Sequence, residues 1–280
     1  RDVVCARNCR QGISVISAEN LLIENTVMRD TAGTPPGAGI DFEPNFAGER
    51  LRQCVLRNCL TENNAGDGYE LYLRNLTETS MPVSIRFENC RSKRDRRAAV
   101  FVSTGNKPGT AVNGEIIFSG CCFEQSRQPG IMVESKPSEG LTLNFDRCEL
   151  NECSTERPHV AEVMLAGRPD DTRPIGGISF NRLLVLRNTA RPWIAWWSIK
   201  GESPFKALQG DAVIETAGQR ESIMLTPEWL HGYFAPISLP SVKGDLATAR
   251  IVTKRSGVSK LSPMRLRRGG TYVFYAETGH

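Results

Sequence analysis

Short apolar stretches along the chain end again and again in a small polar residue followed by a thiol or another small side chain. The copies are Ala6-Arg7-Asn8-Cys9, Ile23-Glu24-Asn25-Thr26, Leu56-Arg57-Asn58-Cys59, Phe87-Glu88-Asn89-Cys90, Phe118-Ser119-Gly120-Cys121, Phe145-Asp146-Arg147-Cys148 and a weaker Phe180-Asn181-Arg182-Leu183. Most recur at a spacing of about thirty residues, the signature of stacked structural units. Apolar residues within these stretches tend to alternate, as in Ile40 and Phe42 or Ile131 and Val133. Alternation predicts half-buried strands. Two strand series are expected. One carries the repeat residues, from Leu21–Val27 to Gly177–Leu186. The other follows glycine-bearing turns, from Gly12–Ile16 to Trp193–Ile199. Helical periodicity is nearly absent, with one short turn expected at Pro227-Glu228-Trp229-Leu230.

Strands repeating at a fixed period without hairpin turns stack in parallel, each on its copy one coil away, about 4.8 Å distant. A coil of this kind cannot bury its own apolar face and is completed by its neighbours. The expected architecture is all-β: a right-handed parallel β-helix over residues 1–204, followed by a small β-rich module or cap over 205–280. There the repeat stops and Gly and Pro punctuation takes over. Because the chain starts at Arg1, inside a repeat, it reads as a fragment lacking upstream coils.

Composition narrows the function. Apolar residues make up 40% of the chain, enough for a sizeable core, and no apolar run is long enough to span a membrane. The 35 Lys and Arg nearly balance 31 Asp and Glu, so a nucleic-acid partner is not expected. The basic run at 91–97, RSKRDRR, reads as a solvated turn between coils. Nine cysteines could suggest a disulfide framework, but Cys59, Cys90, Cys121 and Cys148 share one phase of the repeat. They are expected to form a buried ladder of free thiols. No Cys-x-x-Cys pair and only three His argue against zinc.

The densest chemistry lies in Ala38-Gly39-Ile40-Asp41-Phe42-Glu43-Pro44-Asn45. With Ile40 and Phe42 inward, Asp41, Glu43 and Asn45 share the outward face. Aligning Asp67–Arg74 beneath it puts Glu70 under Asp41, Tyr72 under Glu43 and Arg74 under Asn45. Two coils on, Glu134 and Lys136 fall in the columns of Glu43 and Asn45. Like charges directly opposite are destabilising in a sheet. Asp41, Glu43 and Glu70 therefore suggest raised carboxyl pKa values useful in acid catalysis, or a bound cation. Carboxyls on neighbouring or alternate positions are spaced as glycosidases require. Trp193, Trp196 and Trp197 are a second feature: adjacent Trp196 and Trp197 point to opposite sides of a strand, so at least one is expected in the core or against the C-terminal module, and Trp196 is the candidate platform for sugar; His159 with Glu162 is a weaker candidate.

The repeats resemble those of the right-handed parallel β-helix proteins of the pectin-lyase-like superfamily, over roughly residues 1–200. The resemblance implies a polysaccharide or oligosaccharide partner and a secreted, periplasmic or cell-surface setting. The Asn-Thr-Asp, Gly-His-Gly and Arg-Ile-Lys motifs of the related polygalacturonases are missing. Glycoside hydrolysis is the favoured activity, with Asp41, Glu43 and Glu70 catalytic and Asn45, Tyr72, Arg74, Glu134, Lys136 and Trp196 holding sugar. A non-catalytic glycan-binding or surface module is the alternative, and a polysaccharide lyase the third reading. No cofactor is required by the first two; the lyase would use calcium, with Arg74 or Lys136 abstracting a proton.

Overall fold

The structure is a computed structural model that describes residues 1–156, 161–168, 170–189, 193–198, 205–225, 234–238, 248–249, 264–265 and 273–277. The helical turn expected at 227–230 and His159 lie outside them. The described chain is all-β, a parallel β-solenoid of about six turns. No described helix is long and apolar enough to cross a membrane.

Three strand columns wind the solenoid rather than two. In one coil they are Cys54–Arg57, Leu60–Glu62 and Tyr69–Tyr72. In the next they are Val83–Glu88, Arg91–Lys93 and Val100–Ser103. The three strands of these two coils pair in parallel and in register. The third column comes from a corner that alternation does not reveal. Asn25, Asn58, Asn89, Gly120, Arg147 and Arg182, each the penultimate residue of its repeat copy, all have φ near +50 to +60°. Asn tolerates this left-handed conformation better than most residues and Gly adopts it freely. Each of them bends the expected long strand into two. The side chains of the Asn corners also join: Asn58 Nδ2 donates to Asn25 Oδ1 at 3.2 Å, and Asn25 Nδ2 to Asp2 Oδ1 at 3.0 Å.

A second left-handed corner ends the middle column at Arg7, Asp30, Asn63, Arg94, Gln125 and Glu152. This corrects the first repeat copy. Val4–Ala6 pairs with Val27–Arg29, so Arg7 belongs to the second corner and Asn8-Cys9 follows it. Cys9 is consequently exposed, outside the thiol ladder. The residue after the second corner is buried and polar in successive coils: Thr31, Asn64, Asp95 and Ser126. Asp95 is the hub. It accepts hydrogen bonds from Asn64 N and Nδ2 (both 2.8 Å), Thr61 Oγ1 (2.8 Å) and Ser92 Oγ (2.7 Å). The run 91–97 is thus the strand Arg91–Lys93 and a corner whose Arg94 and Arg96 stay exposed while Asp95 is buried.

Inside, like stacks on like. Phe87, Phe118, Phe145 and Phe180 form a column with centroids 4.2, 5.0 and 5.6 Å apart and nearly parallel rings. Phe118, fully buried in the middle, also meets Phe123 edge-on. Phe118→Ala should cost about 3–5 kcal/mol in urea denaturation. Phe46→Ala, at a 73% exposed site, should cost under about 0.5 kcal/mol. Equal small losses would contradict this core.

Cys59, Cys90, Cys121 and Cys148 are buried and free, as their shared phase predicts. Each thiol lies within hydrogen-bonding reach of a carbonyl on the preceding coil, those of Ile23, Leu56, Phe87 and Phe118. Native-state alkylation should modify Cys9 while leaving the four ladder thiols intact until the chain unfolds. Prompt labelling of the ladder, or a disulfide within it on intact-mass analysis, would contradict this packing.

The parallel stack continues past residue 204. Phe205–Thr216 pairs in parallel with Ile175–Arg187 across two columns. The chain then turns at Ala217-Gly218 into Gln219–Leu225, which pairs antiparallel. On the third column, Val273–Glu277 pairs antiparallel with Ile194–Ser198.

Candidate functional site

The outward row of the third column carries the predicted acids. Tyr69, Glu70 and Leu71 pair in register with Ile40, Asp41 and Phe42, as aligned from the sequence. Glycine sets how closely these coils approach. A Cβ on Gly68, two residues before Glu70, would lie 2.6 Å from both Thr61 Oγ1 and Ser92 Oγ. Only glycine permits that contact without displacement.

Asp41 and Glu70 are far less exposed than a solvated face would leave them, 1% and 7% respectively. Gln11 Nε2 donates to Asp41 Oδ2 at 3.1 Å, and Ser14 stands beside Asp41 in register. Asp41 Oδ1 and Glu70 Oε2 have no hydrogen-bond partner. Burial raises the pKa of Asp41, opposed first by the polar Ser14 hydroxyl beside it. Burial, then the charge of Asp67, pushes Glu70 up to about 8. A carboxyl in that range holds a proton at neutral pH. Glu43 is half-buried and paired with Arg10 at 3.3 Å.

The remaining candidates disperse. Glu134 takes the row of Tyr72, as expected, through Ser103. Its carboxylate accepts a hydrogen bond from Ser103 Oγ at 3.1 Å and pairs with Arg168 at 2.5 Å. Tyr72 is half-buried. Arg74 donates to the Thr104 carbonyl at 3.2 Å. Asn45 is exposed, in a turn where its backbone N–H meets Glu49. Lys136 departs from its expected outward column. Ser135 has φ +56°, which ends the strand and breaks the alternation. Lys136 is therefore fully buried, donating to the carbonyls of Pro137 (3.1 Å) and Gly176. Without water around it, its pKa falls to about 7. The side chain of Trp196 lies outside the described residues. Trp193 is buried against Phe180.

Four neighbours of the acids are not marked by the sequence pattern. Gln11 and Arg10 come from the turn before the first strand of this column. Asp67 and Arg97 meet from adjacent coils at 3.1 Å. Asp67 is legible only as the residue before a turn glycine, and nothing in the sequence pairs it with Arg97. No group of three or more metal-ligating side chains occurs among the described residues. A shallow groove of about 480 Å³, lined by Arg86, Glu88, Asn89 and Asp146 among others, lies on a different column from the acids.

The chain matches no family model and no curated protein. Among solved structures it is similar to ORF18 of Geobacillus virus E2, at 10% identity over 96% of this chain and 71% of that one. The TM-score of 0.24 is too low for the likeness to inform function.

Proposed function

We propose that this solenoid hydrolyses a polysaccharide or oligosaccharide, with Glu70 as general acid and Asp41 as its partner carboxylate. One observation carries the reading: two carboxyls face each other on neighbouring coils, each with a buried oxygen lacking a partner. Such groups are expensive to bury, and uncompensated ones concentrate at functional sites. Strands about 4.8 Å apart suit the 5–5.5 Å separation of acid and nucleophile in retaining glycosidases. Glu70 would give its proton to the glycosidic oxygen as the bond from that oxygen to the anomeric carbon breaks. Asp41 would bond to the anomeric carbon, and water, deprotonated by Glu70, would then release the sugar. Glu43 would add negative charge beside the developing cation. Sugar would reach Asp41 by displacing Gln11, which donates to it, beside the half-exposed Arg10–Glu43 pair. Tyr72, two residues beyond Glu70 on the same strand, would stand nearest the acids. The resemblance of the repeats to the pectin-lyase-like superfamily supports a carbohydrate substrate.

A second reading, a non-catalytic glycan-binding β-helix, is favoured by the 1% exposure of Asp41. A panel of neutral and acidic polysaccharides separates the readings. New reducing ends without ultraviolet absorbance of an unsaturated uronate support hydrolysis. Unsaturated product supports a lyase. Retention on immobilised glycan with neither product supports binding alone.

A further inference from the structure

Asp67 and Arg97 flank Glu70 without belonging to the acid–base pair. Asp67 lies three residues before Glu70 on the same coil and is 1% exposed. Its Oδ1 accepts a hydrogen bond from Ala98 N at 2.7 Å, and its Oδ2 lies 3.1 Å from Arg97 Nη1, too poorly aligned for a hydrogen bond. Arg97 is held from three sides. Its backbone N–H donates to Gly66 O at 3.0 Å, its guanidinium meets Asp67, and its Cζ sits 5.7 Å from the Phe101 ring centroid. Phe101 is the in-register neighbour of Glu70 on the next strand. A cation over an aromatic face is held there by the ring quadrupole. Arg97 thus lies over Phe101, the strand neighbour of Glu70.

We propose that the Asp67–Arg97 pair is a positioning element for Glu70: Asp67 adds to burial in favouring the protonated, proton-donating form of Glu70, and Arg97, seated on Phe101, limits that bias. The catalytic consequence rests on the acid–base reading of Glu70; the electrostatic one does not. The other charges facing Glu70 are Asp41 and Glu43 from the preceding coil, the latter neutralised by Arg10. The following strand presents Phe101, without charge, and Asp95 spends its oxygens on Thr61, Asn64 and Ser92. Removing Asp67 takes away a like charge and removing Arg97 an opposite one, so the two changes act on Glu70 in opposite directions.

The test is a carbon-13 titration of the Glu70 side-chain carboxyl, its resonance identified by its loss in Glu70→Gln. The midpoint should fall in Asp67→Asn and rise in Arg97→Gln, each on the order of one pH unit, a tenfold change in proton affinity. Arg97→Lys, which keeps the charge, should stay near the parent. Unchanged midpoints, or shifts of the same sign, would overturn the proposal. Should Asp67→Asn fail to fold, Arg97→Gln decides alone, at a side chain 40% exposed. In an active protein the alkaline limb of the pH–rate profile should move with each midpoint. Opposite shifts without turnover in any form would retain the positioning role and reject the hydrolase reading.

Discussion

Glu70→Gln should abolish hydrolysis and make the protein more stable at pH 8. The expected loss of turnover is about 10²–10⁴-fold, the usual worth of a positioned general acid. The amide fills the same space on the strand but has no proton to give. The stability gain has a separate cause. Burial pushes Glu70 up to about 8, so at that pH half of the molecules carry a charge that the site penalises. An uncharged amide avoids the penalty, which by linkage builds up between the unfolded and folded pKa values to about 4–5 kcal/mol at pH 8 and levels off above it. The gain should shrink toward zero below about pH 5, where the parent carboxyl is protonated in the folded state and increasingly so in the unfolded one. Thermal melts and reducing-sugar assays on the same samples measure both. Lost activity with lower stability at pH 8 would mean that the carboxyl is a structural hydrogen-bond partner. Unchanged activity would remove Glu70 from the chemistry and leave the solenoid untouched.

The unfolding free energy of the parent should pass through a minimum near pH 7–8. Burial raises the pKa values of Asp41, Asp67, Asp95 and Glu70, to about 6 for Asp67 and Asp95 and about 8 for Glu70. A carboxyl raised on folding stabilises fully below its unfolded value, about 4, and that stability is lost as pH rises through the folded value. Lys136 acts in the opposite sense. Its folded value of about 7 lies below the ordinary 10.5, so the unfolded state binds more protons between the two and stability recovers as pH rises. The recovery ends near pH 9. There the unfolded thiols ionise while buried ones such as Cys54 and Cys153, raised to about 11, do not. The expected fall from about pH 5 to 8 is several kcal/mol, with the upper limb shallower. Urea midpoints at half-unit intervals should trace it. Glu70→Gln should flatten the acid limb and Lys136→Met the alkaline one. A single broad maximum around neutral pH would refute these burials.

The solenoid was legible from sequence because its determinants repeat. One coil's Phe-x-Asn-Cys is weak evidence, but copies about thirty residues apart admit few structures other than stacked coils. Register was legible for the same reason. Ile40 and Phe42 must stand over Tyr69 and Leu71, and this carries Asp41 onto Glu70. The number of strands per coil was not legible. It depends on the left-handed φ of Asn58 and its counterparts, a backbone state that alternation cannot report. Cys9 shows the same limit, since its Asn-Cys pair follows the other corner and leaves the thiol exposed. Lys136 leaves its expected column for a related reason. The left-handed Ser135 turns it inward, against the polarity of its side chain. The partners of the acids, Gln11 for Asp41 and Arg97 beside Asp67, come from turns on neighbouring coils and share no periodicity with them. Sequence alone determined which residues stack, because stacking follows the repeat. Tertiary structure decided which acids are buried, which oxygens stay unpaired and how tightly each holds a proton. Those properties depend on solvent exclusion by side chains that lie about thirty residues away in the chain and one coil away in space.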